Sequence, residues 1–282
     1  MRFVIILMNN RLFGIQSPIL TIHTPILNDS STQKKRVLLA GGTGLIGTRL
    51  TLHLLNAGYE VHILTRQTKA MPTPQGVQYH LWDGRIVPPL NSYEGVINLA
   101  GAGIIDHRWT KDYKRKILSS RVNPTNALVE YINRQTNKPQ VFISASAIGY
   151  YGTQQKGPID ESAPPGKDFL AKTGIEWEDA ARGTGIRTVI LRTGVVMAPE
   201  GGAFPKLLQP FKIGAGGYLG TGKQGFPWIH IDDVVGAIVF ALENAHVQGP
   251  LNLTAPDLLD NKGFGKVVGK VLGTFSSLGV PA

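Results

Sequence analysis

Between residues 36 and 50 the chain reads Arg-Val-Leu-Leu-Ala-Gly-Gly-Thr-Gly-Leu-Ile-Gly-Thr-Arg-Leu, and few folds accommodate such a stretch. Residues 36–40 are an apolar run without polar alternation, the pattern of a strand buried on both faces of a parallel sheet. Residues 45–56 place leucines at helical spacing and stop at Ala57-Gly58, so a helix is expected there. Gly41, Gly44 and Gly47 punctuate the turn between them. The first glycine permits a tight turn, the second lets the backbone approach a pyrophosphate, and the third lets the helix pack closely on its strand. Such a helix aims its first N–H groups at phosphate oxygens. Gly41, Thr43, Gly44, Leu45, Ile46 and Gly47 are therefore the expected phosphate cradle.

A second strand is expected over 60–65. In dinucleotide-binding folds an acidic residue stands near its end, about 20 residues past the glycines, to hold the ribose 2′-hydroxyl. Here the chain reads Thr65-Arg66. An arginine fork binds phosphate oxygens bidentately where a carboxylate would repel them, so Thr65 and Arg66 favour NADP over NAD. The competing reading keeps Arg66, with Lys69 nearby, as a solvated loop cation. A third strand is expected over 77–83, ending in Asp83 on the adenine side, and a fourth over 95–101. The fourth ends in Asn98-Leu99-Ala100-Gly101, small enough for backbone to approach the cofactor.

The chain has 282 residues, 42% hydrophobic and 17% charged, enough for a large core. With no cysteine there is no disulfide, thiolate chemistry or cysteine-ligated zinc. The seven histidines form no metal-type cluster, so no metal is expected. A net charge of +10 raises nucleic acid as a partner. The basic residues are spread along the chain, however, and 111–116 is the one dense group, so a phosphorylated cofactor or anionic small molecule is the better expectation. A homodimer is left open. No segment is long and apolar enough to span a bilayer. Residues 1–35 read as a poorly ordered extension, either an extended start or, lacking acids over the first 28 residues and carrying Arg2 and Arg11, a faint organellar-targeting segment. The expected location is cytoplasmic.

Beyond the fourth strand, 109–121 reads as a basic helix, with 126–134 its continuation or a second helix past Pro124. Strands follow over 140–144 and 188–192. This alternation is the doubly wound α/β pattern of a Rossmann-type parallel sheet. The nucleotide-binding domain is expected over 36–200, and a small substrate lobe over 201–282, interleaved with the last sheet elements. Glycines at 201–202 and within 213–222 either bind phosphate through backbone N–H groups or only permit turns.

Several further stretches carry a resemblance: Val96-Ile-Asn-Leu-Ala-Gly101, Arg108-Trp109, Ser119-Ser-Arg-Val122, Ile143-Ser-Ala-Ser-Ala-Ile-Gly-Tyr-Tyr-Gly152, Asp168-Phe-Leu-Ala171 with Trp177-Glu178, Leu191-Arg-Thr-Gly194 and Pro227-Trp-Ile-His-Ile-Asp-Asp-Val234. With the glycine turn, they resemble the extended and atypical short-chain dehydrogenase/reductases. Within that group the chain is similar to epimerase-family oxidoreductases of unassigned substrate, also described as nucleoside-diphosphate-sugar epimerase-like or cell-division inhibitor-like. The resemblance implies NADP contacts at Thr65-Arg66, Leu99-Ala100, Arg121 and Val196. Where the group carries an acidic residue in the basic helix, this chain has Lys116. Members usually continue past the equivalent of Val280-Pro281, which implies a truncated substrate lobe here.

Reductases of this group use a serine, a tyrosine and a lysine four residues on, the lysine lowering the tyrosine pKa from about 10. Ser144 and Ser146 are expected just past the fifth strand, and Ser146 is the preferred match. The tyrosine position holds Phe169 and the lysine position Thr173, with Lys172 on a different helical azimuth. Phe has no ionisable proton, so Tyr150 and Tyr151 are the substitutes the sequence offers. The expected activity is NADP-dependent oxidation–reduction or epimerisation of a small hydroxyl-bearing or sugar-nucleotide-like substrate. The alternative is a catalytically silent NADP-binding regulatory or partner-binding protein. Asp232-Asp233 reads as a helix N-cap, and His230 as a buried, hydrogen-bonded histidine.

Overall fold

The computed structural model describes residues 35–67, 73–90, 93–153, 157–274, 276 and 278–280. The N-terminal extension up to residue 34 and Lys69 lie outside the described residues. The elements run β1 (Arg36–Ala40), α1 (Leu45–Asn56), β2 (Glu60–Thr65), β3 (Val77–Leu81), β4 (Gly95–Asn98), α2 (Lys111–Arg134), β5 (Val141–Ala147), a short 3-10 turn (Ile148–Tyr151), α3 (Phe169–Ala181) and β6 (Thr188–Thr193). After these come β7 (Val195–Met197), α4 (Phe204–Lys212), β8 (Gly217–Leu219), β9 (Trp228–His230), α5 (Ile231–Glu243), β10 (Gly249–Leu253), α6 (Asn261–Leu272) and β11 (Leu278–Val280).

Seven strands form one sheet in the order β10-β6-β5-β4-β1-β2-β3, with every pairing parallel. From β1 the chain first winds outward through β2 and β3, then returns to the other side at β4. The crevice where that direction reverses, outside the carboxyl ends of β1 and β4, is where such sheets bind ligands. The apolar run of β1 is divided between two cores. Val37 and Leu39 face Leu50 and Leu54 of α1 and the apolar stripe of α5. Leu38 and Ala40 face Leu128 and Ile132 of α2 and Ala181 of α3. A third cluster, of Met197, Phe211, Phe226, Phe264 and Val268, holds α4 and α6 together beyond β7.

Helix α2 is continuous through Pro124, the first of the two readings the sequence left open, and the Thr125 hydroxyl donates to the Arg121 carbonyl at 2.7 Å beside it. Two expectations change. Strand β5 runs to Ala147, so Ser144 and Ser146 lie within it rather than beyond it. The N-cap of α5 is His230, whose Nδ1 accepts from the Asp232 N–H at 3.3 Å, and its side chain is 45% exposed rather than buried. At the other end of α5, Arg187 gathers carbonyls of the last turn, the cap and the loop beyond: Nη1 donates to Ala241, Asn244 and Val247 O, and Nη2 to Leu242 O. A cation is favoured at a helix C-terminus. Among the described residues no helix is long and apolar enough to cross a membrane.

Candidate functional site

At the switch between β1 and β4 lies a cleft of about 1130 Å³, somewhat larger than the roughly 300–1,000 Å³ of ordinary small-molecule pockets. Gly41, Thr43 and Gly44 form one side of its lining, and Leu64 to Gln67 at the end of β2 another. Trp82 to Arg85 after β3, Leu99 to Gly103 after β4, and Tyr113, Lys116 and Ser119 of α2 complete much of the rest.

The glycines fit a close backbone approach. Gly41 has φ +80°, and a Cβ there would stand 2.7 Å from the Leu99 carbonyl carbon and oxygen. At Gly47 a Cβ would meet Gly41 O at 2.2 Å and Gly42 Cα at 2.6 Å, so only glycine lets α1 sit this close to its strand. The N-cap of α1 is Gly44, and no side chain caps its first N–H groups. By contrast Thr110, Asp168, His230 and Asp260 each cap the helix that follows with a side-chain acceptor. Uncapped N–H groups beside a cleft need an outside acceptor, and a pyrophosphate supplies one.

At the end of β2 the Thr65 hydroxyl is tied to Gln67, accepting from its N–H at 3.3 Å and donating to its carbonyl at 3.1 Å. Arg66 lines the cleft and is exposed, and no carboxylate pairs with it among the described residues. Asp83 also lines the cleft, with Oδ1 accepting from the Arg85 N–H at 3.0 Å. The loop after β4 is set by buried polar groups. Asn98, fully buried, accepts from the Ala100 N–H at 3.1 Å and donates to the Thr125 hydroxyl at 2.8 Å. Arg121 does not line the cleft. Its guanidinium donates to Ala102 O at 3.0 Å and Ile117 O at 2.9 Å, and it lies over the Trp177 ring. Burial holds it below the ordinary arginine value.

Leu45, Ile46 and Val196, also expected at the cofactor, do not line this cleft. Leu45 lines a smaller adjoining pocket of about 440 Å³ with Thr48, Arg49, Glu200 and Gly201. Ile46 and Val196 are half-buried against the sheet core. Lys116, on the basic helix, lines the cleft itself and lies 5.8 Å above the Tyr113 ring centre. Sequence reading did not single out Trp82, Gln67, Arg85, His107 or Tyr113 as lining residues, because each reaches the cleft from a loop or from the first turn of α2.

The hydroxyl set expected for proton transfer sits apart from this lining, built around one buried ion pair. Arg192 of β6, 2% exposed, donates through Nε to Glu178 Oε1 at 2.8 Å and through Nη2 to Glu178 Oε2 at 2.9 Å. Ser146 donates to the same Glu178 Oε1 at 2.8 Å. The Tyr151 hydroxyl accepts from Arg192 Nη1 at 2.8 Å and donates to Asn252 Oδ1 at 2.7 Å. Burial raises the Tyr151 hydroxyl above its ordinary value of 10, against the opposing pull of Arg192. Tyr150 is half-buried, its ring centre 3.6 Å from the Arg192 guanidinium carbon and edge-on to Tyr151. Its hydroxyl makes no hydrogen bond among the described residues, whereas those of Ser146 and Tyr151 are committed. Phe169 opens α3, and Thr173 turns inward and donates to Phe169 O at 2.9 Å. Sequence reading did not assign Glu178 a role, and the signal that could have found it is its place as a charged residue on the buried stripe of α3 with Ala171, Gly174, Trp177 and Ala181.

Comparison with known proteins gives a consistent picture. The model of the NAD dependent epimerase/dehydratase family matches residues 37–253. The chain is 40% identical over 242 residues to the epimerase family protein YfhF of Bacillus subtilis, covering 83% of this chain and 79% of that one. To the epimerase family protein SDR39U1 of Homo sapiens it is 38% identical over 253 residues, covering 88% and 84%. The crystal structure of the human SDR39U1 isoform 2 with NADPH superposes with a TM-score of 0.79 at 37% identity, over 87% of this chain and 83% of that one.

Proposed function

Because this chain belongs to the NAD dependent epimerase/dehydratase family, we propose that it binds NADP(H) in the cleft between β1 and β4 and acts as an oxidoreductase or epimerase on a small hydroxyl-bearing substrate. The observation that carries this reading is the wall at the end of β2, where Thr65, Arg66 and Gln67 stand in place of an acidic residue above a glycine floor. The NADPH named for the human structure fits the same expectation. When bound, the cofactor supplies or takes up a hydride at its nicotinamide ring.

The chain's own residues do the rest. The first N–H groups of α1 meet the pyrophosphate, and the Arg66 fork meets the 2′-phosphate. Asn98 and Arg121 fix the loop after β4, so that Leu99, Ala100 and Gly101 present backbone to the ligand. Proton transfer is assigned to the set Ser146, Tyr150 and Tyr151. Tyr150 is its leading member, since Ser146 and Tyr151 already serve Glu178 and Arg192. Those two hold the ion pair on which the Tyr150 ring lies. The substrate is a small molecule, sugar-nucleotide-like in the finer form of the proposal, and the location cytoplasmic.

Single-turnover absorbance with NADPH and a panel of carbonyl compounds and nucleotide sugars tests the chemistry. Tyr150→Phe is expected to lower the single-turnover rate by roughly 10²- to 10⁴-fold, the usual cost of losing a general acid, with NADPH affinity retained. A second reading is an NADP-binding regulator without turnover, favoured by Phe169 at the relay position. Tight NADPH binding with no oxidation across the whole panel would decide for it.

A further inference from the structure

Just past the end of the cleft formed by Gly103, Asp106, His107 and Tyr113, a Trp, a Phe and a Lys meet without a carboxylate among them. The Trp109 and Phe169 rings pack edge to face, with centroids 5.5 Å apart at 67°. The Lys114 ammonium lies over both, 5.2 Å from the Phe169 centroid and 6.0 Å from the Trp109 centroid. Trp109 is 41% exposed and Ile105 beside it 47%. That exposure does not serve the indole N–H, which already donates to Ile104 O at 2.7 Å. The nearby acids are engaged elsewhere, Asp112 with Arg115, Asp106 with Lys206, and Asp168 with the Ala171 N–H that it caps. Arg108 and Lys111 add exposed positive charge on either side.

An ammonium resting on ring faces keeps its hydrogen-bond donors free, and a nearby anion gains both a charge-assisted bond and an apolar surface to lie on. We propose that Trp109, Lys114 and Phe169 form the substrate-recognition subsite of this protein, selecting an organic anion in which a planar apolar group adjoins a carboxylate. The ring of such a ligand packs on the exposed indole while its carboxylate pairs with Lys114. Phe169 thereby takes a recognition role at the position where related reductases place their acid–base tyrosine. The assignment rests on the cofactor reading above, because Trp109 and Lys114 lie close in the chain to residues that line that cleft, Lys114 directly after Tyr113 and Trp109 two residues past His107.

The test uses the full chain loaded with NADP and three probes of similar size or charge: benzoate, benzyl alcohol and acetate. Binding is read by saturation-transfer NMR and by quenching of indole emission, and NADPH affinity is measured on every variant as the folding and cofactor control. Benzoate is expected to bind at least several-fold more tightly than either other probe. Lys114→Gln should weaken it by roughly tenfold or more, the equilibrium equivalent of a lost hydrogen bond to a charged group. Trp109→Ala should weaken benzoate and benzyl alcohol alike, and Trp109→Phe should restore part of the loss. Equal affinity for benzoate and benzyl alcohol, no detectable benzoate binding, or indifference to both substitutions while NADPH still binds, would overturn the subsite. Failure of the unaltered chain to bind NADPH would instead overturn the cofactor reading.

Discussion

Glu178 lies on the buried stripe of α3 and accepts from Ser146, Arg182 and Arg192 together. Two charges removed from water persist only when each satisfies the other, and loss of one partner strands the second. Glu178→Gln keeps the shape and removes the charge, so it should destabilise the fold by about 3–5 kcal/mol. Urea unfolding at neutral pH measures this, and a change under about 1 kcal/mol would mean the pair is exchangeable for neutral groups. Sequence reading singled out Ser146 and had Arg192 within a stretch that carries the resemblance. It missed what joins them, because the contact spans 32 residues from Ser146 to Glu178 and depends on how far β5 extends.

The opening turn is the most legible element. The first two strands and α1 have the limits that periodicity predicts, residue for residue, because buried parallel strands and a leucine-striped helix are read from local pattern alone. Where tertiary packing decides, local rules gave way: Ser144 and Ser146 lie within β5 rather than past its end, and a partly exposed His230 caps α5 ahead of the two aspartates. Two glycines of this first unit separate steric need from backbone need. Gly47→Ala forces the turn and α1 apart, with an overpacking cost of about 1–3 kcal/mol or more, and should abolish measurable NADPH binding. Gly58 has φ +83°, and a Cβ added there would meet nothing within 4 Å. Gly58→Ala should therefore cost about 1–2 kcal/mol through backbone strain and leave NADPH affinity in place. Thermal shift with and without NADPH distinguishes them, and equal loss of the ligand-induced shift in both variants would contradict the cradle.

Across the whole molecule, the wing of the sheet formed by β1, β2 and β3 couples fold stability to pH. His62 Nδ1 lies 2.9 Å from His80 Nε2 and 3.0 Å from the Tyr93 hydroxyl, and His62 Nε2 lies 3.4 Å from Glu60. Burial holds both imidazoles below the ordinary value of 6.5, with mutual repulsion adding to it at His62. Below that value the unfolded chain binds more protons than the folded one, so stability is complete above about pH 6.5 and declines as pH falls through and below it. His80→Gln should flatten the fall in urea midpoint between about pH 7 and about pH 5.5, and an unchanged slope would assign it to other groups. The doubly wound topology itself was legible because strand and helix patterns alternate along the chain. The proposed proton-transfer position was not, since Phe169 stands where related reductases carry the tyrosine that marks it. The cofactor preference is the claim on which the rest depends, and isothermal titration of the unaltered chain and of Arg66→Ala with NADPH and NADH tests it directly. NADPH should bind the unaltered chain more tightly, and Arg66→Ala should erase most of that difference at a cost of about 1.5–3 kcal/mol in NADPH binding, whereas equal affinity of the unaltered chain for both cofactors would contradict it.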